Sequence, residues 1–201
     1  HEPQDVKFPG ERSYCDVGAR TIIREHVTIH CGTDPESRTV VGADCFLLAG
    51  SHVGHNCVLG DRVTLINHVM LAGHVTVGDR VTISGGAGVH QFVRIGELAM
   101  ITGNGRVPMD IVPFAMVDPA GRIIGLNRIG LRRSGMTREE VADIREAYRV
   151  LFESPGGMRQ AIERLADQIK TTPGRRLLDF VRADSRRGLA GRSRGPAEPR
   201  P

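Results

Sequence analysis

A parallel β-helix followed by an α-helical domain is the fold class this sequence predicts, and three observations carry it. An aliphatic side chain recurs every six residues from Val17 to Val107, with Pro35 the single break in sixteen slots. Four positions after the aliphatic residue comes a small or β-branched one, as in Cys45, Ser51, Cys57, Val63, Val69, Val75, Val81, Ala87, Val93 and Ala99. The composition agrees: 25 of 201 residues are Gly, aromatics make up 4% and Trp is absent, so the core must come from aliphatic side chains and tight turns.

Taken in order, residues 1–16 read as a partial coil and loop, and 17–117 as the solenoid. Three hexads make one triangular coil of 18 residues, stacked on the next at the usual strand spacing of roughly 4.8 Å. The period alone leaves the hand of the coil open. Gly18, Gly42, Gly54, Gly60, Gly78 and Gly96 directly follow an aliphatic residue, where a sharp bend is expected to need them. The stretch 34–40 keeps the six-residue phase but lacks its aliphatic residue, and reads as a loop ejected from one coil, of the kind that edges a binding site.

Residues 118–135 read as a connector and 136–184 as a helical domain. Thr137 and Glu140 have the spacing of a capping box, followed by Val141, Ile144, Tyr148, Leu151 and Phe152 on one face. Gly156 and Gly157 are expected to stop that helix. A second apolar stripe (Met158, Ile162, Leu165, Ile169) ends before Pro173, and a short third segment carries Leu177, Leu178, Phe180 and Val181. From 185 to 201 the chain turns to Arg, Gly and Pro, and is expected to be disordered.

The net charge of +4 favours an acidic partner, which charge alone leaves open between nucleic acid, phosphate and an acidic protein. No apolar run approaches the roughly 18 residues a membrane span needs, and the N-terminal HEPQDVKFPG lacks a signal segment, so the expected location is cytoplasmic. Cys15, Cys31, Cys45 and Cys57 form no CxxC pair and read as free thiols.

Counted in eighteens, His52, His55, His74 and His90 share one edge of the prism, at positions 16, 1, 2 and 0. His26, His30 and His68 fall elsewhere, at 8, 12 and 14. A lone imidazole on such a surface is ordinarily a hydrogen-bonded residue, but four on one edge point to a site. Zinc ligation is one use of them. Another is general base catalysis, since an imidazole titrating near ~6.5 can take a proton from a hydroxyl at neutral pH while backbone N–H groups hold the developing oxyanion. Gly73, beside His74, offers such an N–H without a side chain in the way.

The segments HVGHNC, LAGHVTVGD, GAGVHQFVRIG, GLN and GLRRSG, in this order and spacing, resemble the UDP-N-acetylglucosamine acyltransferases over roughly residues 1–190. The resemblance implies a left-handed β-helix, a homotrimer with clefts between neighbouring prisms, and further coils ahead of residue 1. It implies transfer of a 3-hydroxyacyl chain from acyl carrier protein to the 3-hydroxyl of UDP-N-acetylglucosamine, the first step of lipid A synthesis in Gram-negative-type bacteria. No cofactor or metal, no nucleic acid and no membrane insertion belong to that reading.

By the same resemblance His55 is the general base and the Gly73 amide the oxyanion donor, while His52, His74, His90 and Gln91 line the substrate cleft. Gln4, Asp5 and Lys7 match a segment that contacts the sugar nucleotide, Asn127 and Arg133 the nucleotide or acyl-chain end, and Gly103 the place where acyl length is measured. Arg132, Arg133, Arg138, Arg145 and Arg149 are the surface expected to attract an acidic carrier. Asn56 stands where some relatives have Asp, and Ser134 where many have a basic residue. The other readings are a related hexapeptide transferase acting on another amino sugar, a zinc-dependent enzyme on the same scaffold, and a non-catalytic scaffold.

Overall fold

Aliphatic residues spaced by six can all leave solvent together only if each hexad forms one side of a triangle. The computed structural model, which describes residues 1–155 and 157–192, wraps three parallel sheets in this way. One sheet stacks Tyr14–Val17, Arg38–Val41, Val58–Leu59, Thr76–Val77 and Arg94–Ile95. A second stacks Ile22–Ile23, Phe46–Leu47, Thr64–Leu65, Thr82–Ile83, Met100–Ile101 and Ala115–Val117. The third stacks Thr28–Ile29, His52–Val53, Met70–Leu71, Gly88–Val89 and Arg106–Val107. Leu47, Leu65, Ile83 and Ile101 lie one above another with no exposed surface, and so do Val63, Val81 and Ala99 at the other inward slot. Each such side chain contributes about 1.5–3 kcal/mol by leaving water.

Two expectations need correction. The coil is 18 residues long where Val41 pairs with Leu59 and Ile83 with Ile101, but Val17 pairs with Val41 and Ile29 with Val53, 24 residues on. The loop after Gly32 therefore adds a whole hexad to its coil; the phase of six survives it and the phase of eighteen does not. The glycines that follow an aliphatic residue do not make the bends either. The left-handed backbone falls two residues later, at Asp44, Asn56, Arg62, His74, Phe92 and their equivalents. Gly42 and Gly96 are required instead by close approach between coils: a Cβ on Gly42 would overlap the Gly60 carbonyl, and one on Gly96 would overlap Pro113.

The connector is structured. Ile123–Leu126 pairs antiparallel with Ala115–Val117, over the fully buried Phe114, and leads into helix α1, Arg128–Arg133. Helix α2 (Arg138–Phe152) starts at the expected capping box, with Thr137 and Glu140 bonding each other's backbone. Helix α3 spans Met158–Ala166 with Gly157 as its N-cap, so Gly157 opens a helix as much as it ends one; Gly156 lies outside the described residues. Helix α4, Thr172–Arg182, is tied to α2 through the Asp143 carboxylate, which accepts the Thr171 hydroxyl and the Lys170 and Thr171 amides. It is tied to the solenoid through Arg94, whose guanidinium lies 4.6 Å from the centre of the Phe180 ring. None of the described helices is long and apolar enough to cross a membrane.

The expectation of disorder from residue 185 does not hold for 185–192. There the chain returns to the solenoid: the Asp110 amide donates to the Gly188 carbonyl at 2.8 Å, and the Ala190 amide donates to the Asp110 carbonyl at 2.8 Å. Leu189 and Ala190, the apolar pair in an otherwise polar run, supply the burial that composition alone concealed; Ala190 is 2% exposed. Residues 193–201 lie outside the described residues.

Candidate active site

The third sheet and the corner that follows it carry the imidazoles. His55 and His74 occupy successive coils of that corner and meet edge to face, with ring centres 5.1 Å apart. His74 stacks in turn on Phe92 of the next coil, at 4.7 Å and an interplanar angle of 17°. His52 and His90 face the same groove, of about 510 Å³, lined also by Met70, Ala72, Gly88, Arg106 and Pro108. The four histidines placed together by the coil count are together.

His30 joins them, against expectation. Its ring lies 4.7 Å from that of His52, and it is 4% exposed. Counting in eighteens misplaced it because the added hexad stands between it and the rest; adding six to its number puts it in register with His90. The same correction aligns His26 with His68, at a different corner.

The ring protons follow from the hydrogen-bond network. Asn56 Oδ1 accepts the Thr33 backbone N–H at 3.1 Å and the Thr33 hydroxyl at 2.9 Å. A backbone N–H can only donate, so the amide oxygen is the atom that faces it. The same oxygen lies 2.9 Å from His55 Nδ1, which must then carry the proton. The lone pair is left on His55 Nε2. Asn56 thus does what an orienting carboxylate does, and Thr33, at the start of the extra hexad, holds it to that orientation. Neither role was visible in the sequence, although an insertion beside the histidine corner was the available signal.

Gly73 is buried against this ring, and a Cβ there would overlap the His55 imidazole. Its carbonyl accepts the Phe92 amide, while its own N–H has no acceptor among the described residues. The N-terminal segment closes one side: the Gln4 backbone N–H donates to His30 Nδ1 at 3.2 Å, and the charge of Asp5 reaches His74. The Lys7 amide turns back to the Asp5 carboxylate, and its side chain faces solvent with Gln91.

Three expected site residues lie elsewhere. Asn127 caps α1, its oxygen accepting the Gly130 amide and its Nδ2 donating to the Leu98 carbonyl, so its side chain is occupied at another corner of the prism. Arg133 is exposed in the last turn of the same helix. Gly103 sits at the corner before the third sheet; a Cβ there would meet the Gly85 carbonyl at an ordinary 3.4 Å, so nothing in the backbone demands glycine. Within one chain these residues do not meet the imidazoles.

Burial is the leading cause that pushes the pKa values of His30, His52 and His74 below the usual histidine value, with neighbouring imidazoles adding to it. Burial also pushes the Cys57 thiol up to about 12, which leaves it inert. The depressed histidines make stability depend on pH. An unfolded histidine takes up its proton near ~6.5, before these native ones do, so the unfolded state binds more protons and the native state loses ground as pH falls through that window. Unfolding followed at pH 7.5 and 5.5 should give the lower midpoint at 5.5; a higher midpoint in acid would contradict the packing of these rings. The rings pack edge to face, and among the described residues no three His, Cys, Asp or Glu side chains converge as metal ligands.

Comparison with known proteins adds to this geometry. Residues 110–190 match the family profile described as Udp N-acetylglucosamine O-acyltransferase, Domain 2, and residues 38–73 match the bacterial transferase hexapeptide repeat. An acyl-[acyl-carrier-protein]–UDP-N-acetylglucosamine O-acyltransferase of Paracoccus denitrificans is 43% identical, over 93% of this chain and 72% of its own length. One of Gloeothece citriformis is 39% identical, over 97% of this chain and 70% of its own. Among solved structures, a UDP-N-acetylglucosamine O-acyltransferase from Moraxella catarrhalis superposes with a TM-score of 0.89 at 35% identity, covering 94% of this chain and 75% of that one.

Proposed function

Because the chain belongs to the UDP-N-acetylglucosamine O-acyltransferase family, and is therefore an acyltransferase, we propose that it transfers a 3-hydroxyacyl chain from acyl carrier protein to the 3-hydroxyl of UDP-N-acetylglucosamine, the first step of lipid A synthesis. The observation that supports this most is the pairing of an accepting His55 Nε2 with an uncommitted Gly73 N–H at one corner.

His55 Nε2 takes the proton of the sugar 3-hydroxyl as its oxygen attacks the thioester carbonyl. A C–O bond forms, and the carbonyl oxygen becomes an oxyanion held by the Gly73 N–H. Collapse of that intermediate breaks the C–S bond, and the imidazolium returns its proton to the leaving thiolate. Neutral His74 and His52 beside the base avoid adding like charge when His55 becomes an imidazolium. Gln4, Asp5, Lys7, His90 and Gln91 border the acceptor. The apolar groove over Met70 and Gly88 suits a chain of methylenes, while Gly103, outside its lining, enters this reading only as the place where the family measures acyl length.

Asn127 and Arg133 reach such a site only from a neighbouring copy, which fits a homotrimer with sites between prisms. The arginines of α1 and α2 then offer an acidic carrier its attractive surface. An assay with carrier-linked and coenzyme A-linked acyl donors, over several sugar nucleotides, tests the reaction; activity with coenzyme A alone would defeat the proposal. A mixture test addresses the assembly. Variants His55→Ala and Arg133→Ala, each impaired alone, should regain activity when coexpressed, since about a quarter of randomly formed interfaces carry both native residues. No recovery in verified mixed oligomers would place both residues in one protomer's site.

A further inference from the structure

The column of rings at the histidine corner does not end at Phe92. The guanidinium of Arg186 lies over the Phe92 ring, 4.6 Å from its centre, so that Arg186, Phe92, His74 and His55 follow one another in a continuous column, the last two meeting edge to face. We propose that residues 185–192 are a strap belonging to the active site, and that Arg186 takes the diphosphate of the sugar nucleotide there. This rests on the acyltransferase reading above.

Arg186 is held in place by its neighbours on the strap. Ser185 Oγ accepts the amides of Arg187, at 3.1 Å, and Gly188, at 2.7 Å, which fixes the turn around Arg186. Arg187 Nε donates to the Pro108 carbonyl at 3.0 Å, at the rim of the groove. Beyond it the strap bonds both ways to the backbone of Asp110, whose fully buried carboxylate is itself held by Arg94. The strap is thus anchored on the solenoid a few residues from the side chain it presents.

The guanidinium so presented is exposed and has no carboxylate partner among the described residues, unlike Arg94, Arg176 and Arg192, which pair with Asp110, Glu97 and Glu153. Its Cζ lies over the Phe92 ring, and its N–H groups make no hydrogen bond among the described residues, so they are available to a planar or tetrahedral anion. Its charge reaches His74, where it opposes protonation along with burial and His55, against Asp34 and Asp5. A cation there does not assist the imidazoles; it suits an anion that arrives with the substrate. Both substrates carry phosphate, the acceptor one sugar ring from its reacting hydroxyl, and the donor at the far end of a pantetheine arm. Two ring thicknesses from His74 is within reach of the former.

The test measures binding of UDP-N-acetylglucosamine to the full chain by calorimetry, and the two KM values, for wild type, Arg186→Ala and Arg186→Lys. Loss of a charge-assisted contact predicts that Arg186→Ala binds the sugar nucleotide roughly tenfold to a hundredfold more weakly. Its KM for that substrate rises in proportion, with the KM for the acyl donor unchanged and partial rescue in Arg186→Lys. Equal binding by wild type and Arg186→Ala sinks the role of Arg186 alone. A rise confined to the donor KM assigns the guanidinium to the pantetheine phosphate and overturns the proposal. If the wild-type chain itself binds no sugar nucleotide, the acyltransferase reading falls with it.

Discussion

His55→Ala is expected to lower kcat by about 10²–10⁴-fold, the range a positioned general base supplies, while leaving the KM for the sugar nucleotide within a small factor of its starting value. The fold should survive. The ring is half-buried at a corner and contributes no side chain to the aliphatic axis, and the coil above is bonded through the His55 carbonyl, which alanine retains. Thermal unfolding and kinetics on the same preparation separate the two effects. The pH profile gives a sharper reading: the acid limb of kcat/KM should vanish from the residual activity of His55→Ala. In Asn56→Asp it should move to higher pH with the plateau retained, because a carboxylate at the same place would favour the imidazolium. Near-normal turnover in His55→Ala would move the base elsewhere on the corner, with His74 the next candidate by distance.

How much of this was legible in the sequence depends on the physical distance over which each feature is decided. Burial on the solenoid axis is decided within a hexad, so Leu47, Leu65 and Ile83 could be assigned inward from spacing alone. The capping box at Thr137 is equally local and starts α2 as expected. Which imidazoles meet is decided over a whole coil, and a single added hexad sufficed to hide His30 while leaving His52, His55, His74 and His90 correctly grouped. Helix α1, at six residues, is too short to show a periodic stripe, and its cap, Asn127, reads equally well as a ligand contact. The strap was hidden for another reason: its attachment is mainly backbone hydrogen bonding to Asp110, and backbone bonds leave no pattern in side-chain composition. The glycines were correctly seen as necessary, but for the wrong cause, because a bend and a close approach exclude a Cβ alike.

Gly73→Ala should be the second severe variant, and its cause can be isolated. The Gly73 backbone lies outside the left-handed region, so alanine is compatible with its conformation. What alanine meets is the His55 ring, whose Nε2, Cε1 and Cδ2 all lie where the new methyl group would go. The imidazole must swing away, parting Nδ1 from Asn56 and carrying Nε2 off the reacting hydroxyl, while a methyl group crowds the N–H proposed for the oxyanion. A loss of about 10²–10³-fold in kcat is expected, of the size seen when one oxyanion donor is removed. Overpacking of this kind also destabilises, typically by about 1–3 kcal/mol. A double-mutant cycle identifies the partner. In a His55→Ala background the obstructing ring is gone, so adding Gly73→Ala should cost little further stability, and any further loss of activity reports the crowding of the N–H alone. If the alanine is equally destabilising with and without His55, the ring is not what it strikes, and the close pairing of base and oxyanion donor on which the chemistry depends is not present in solution.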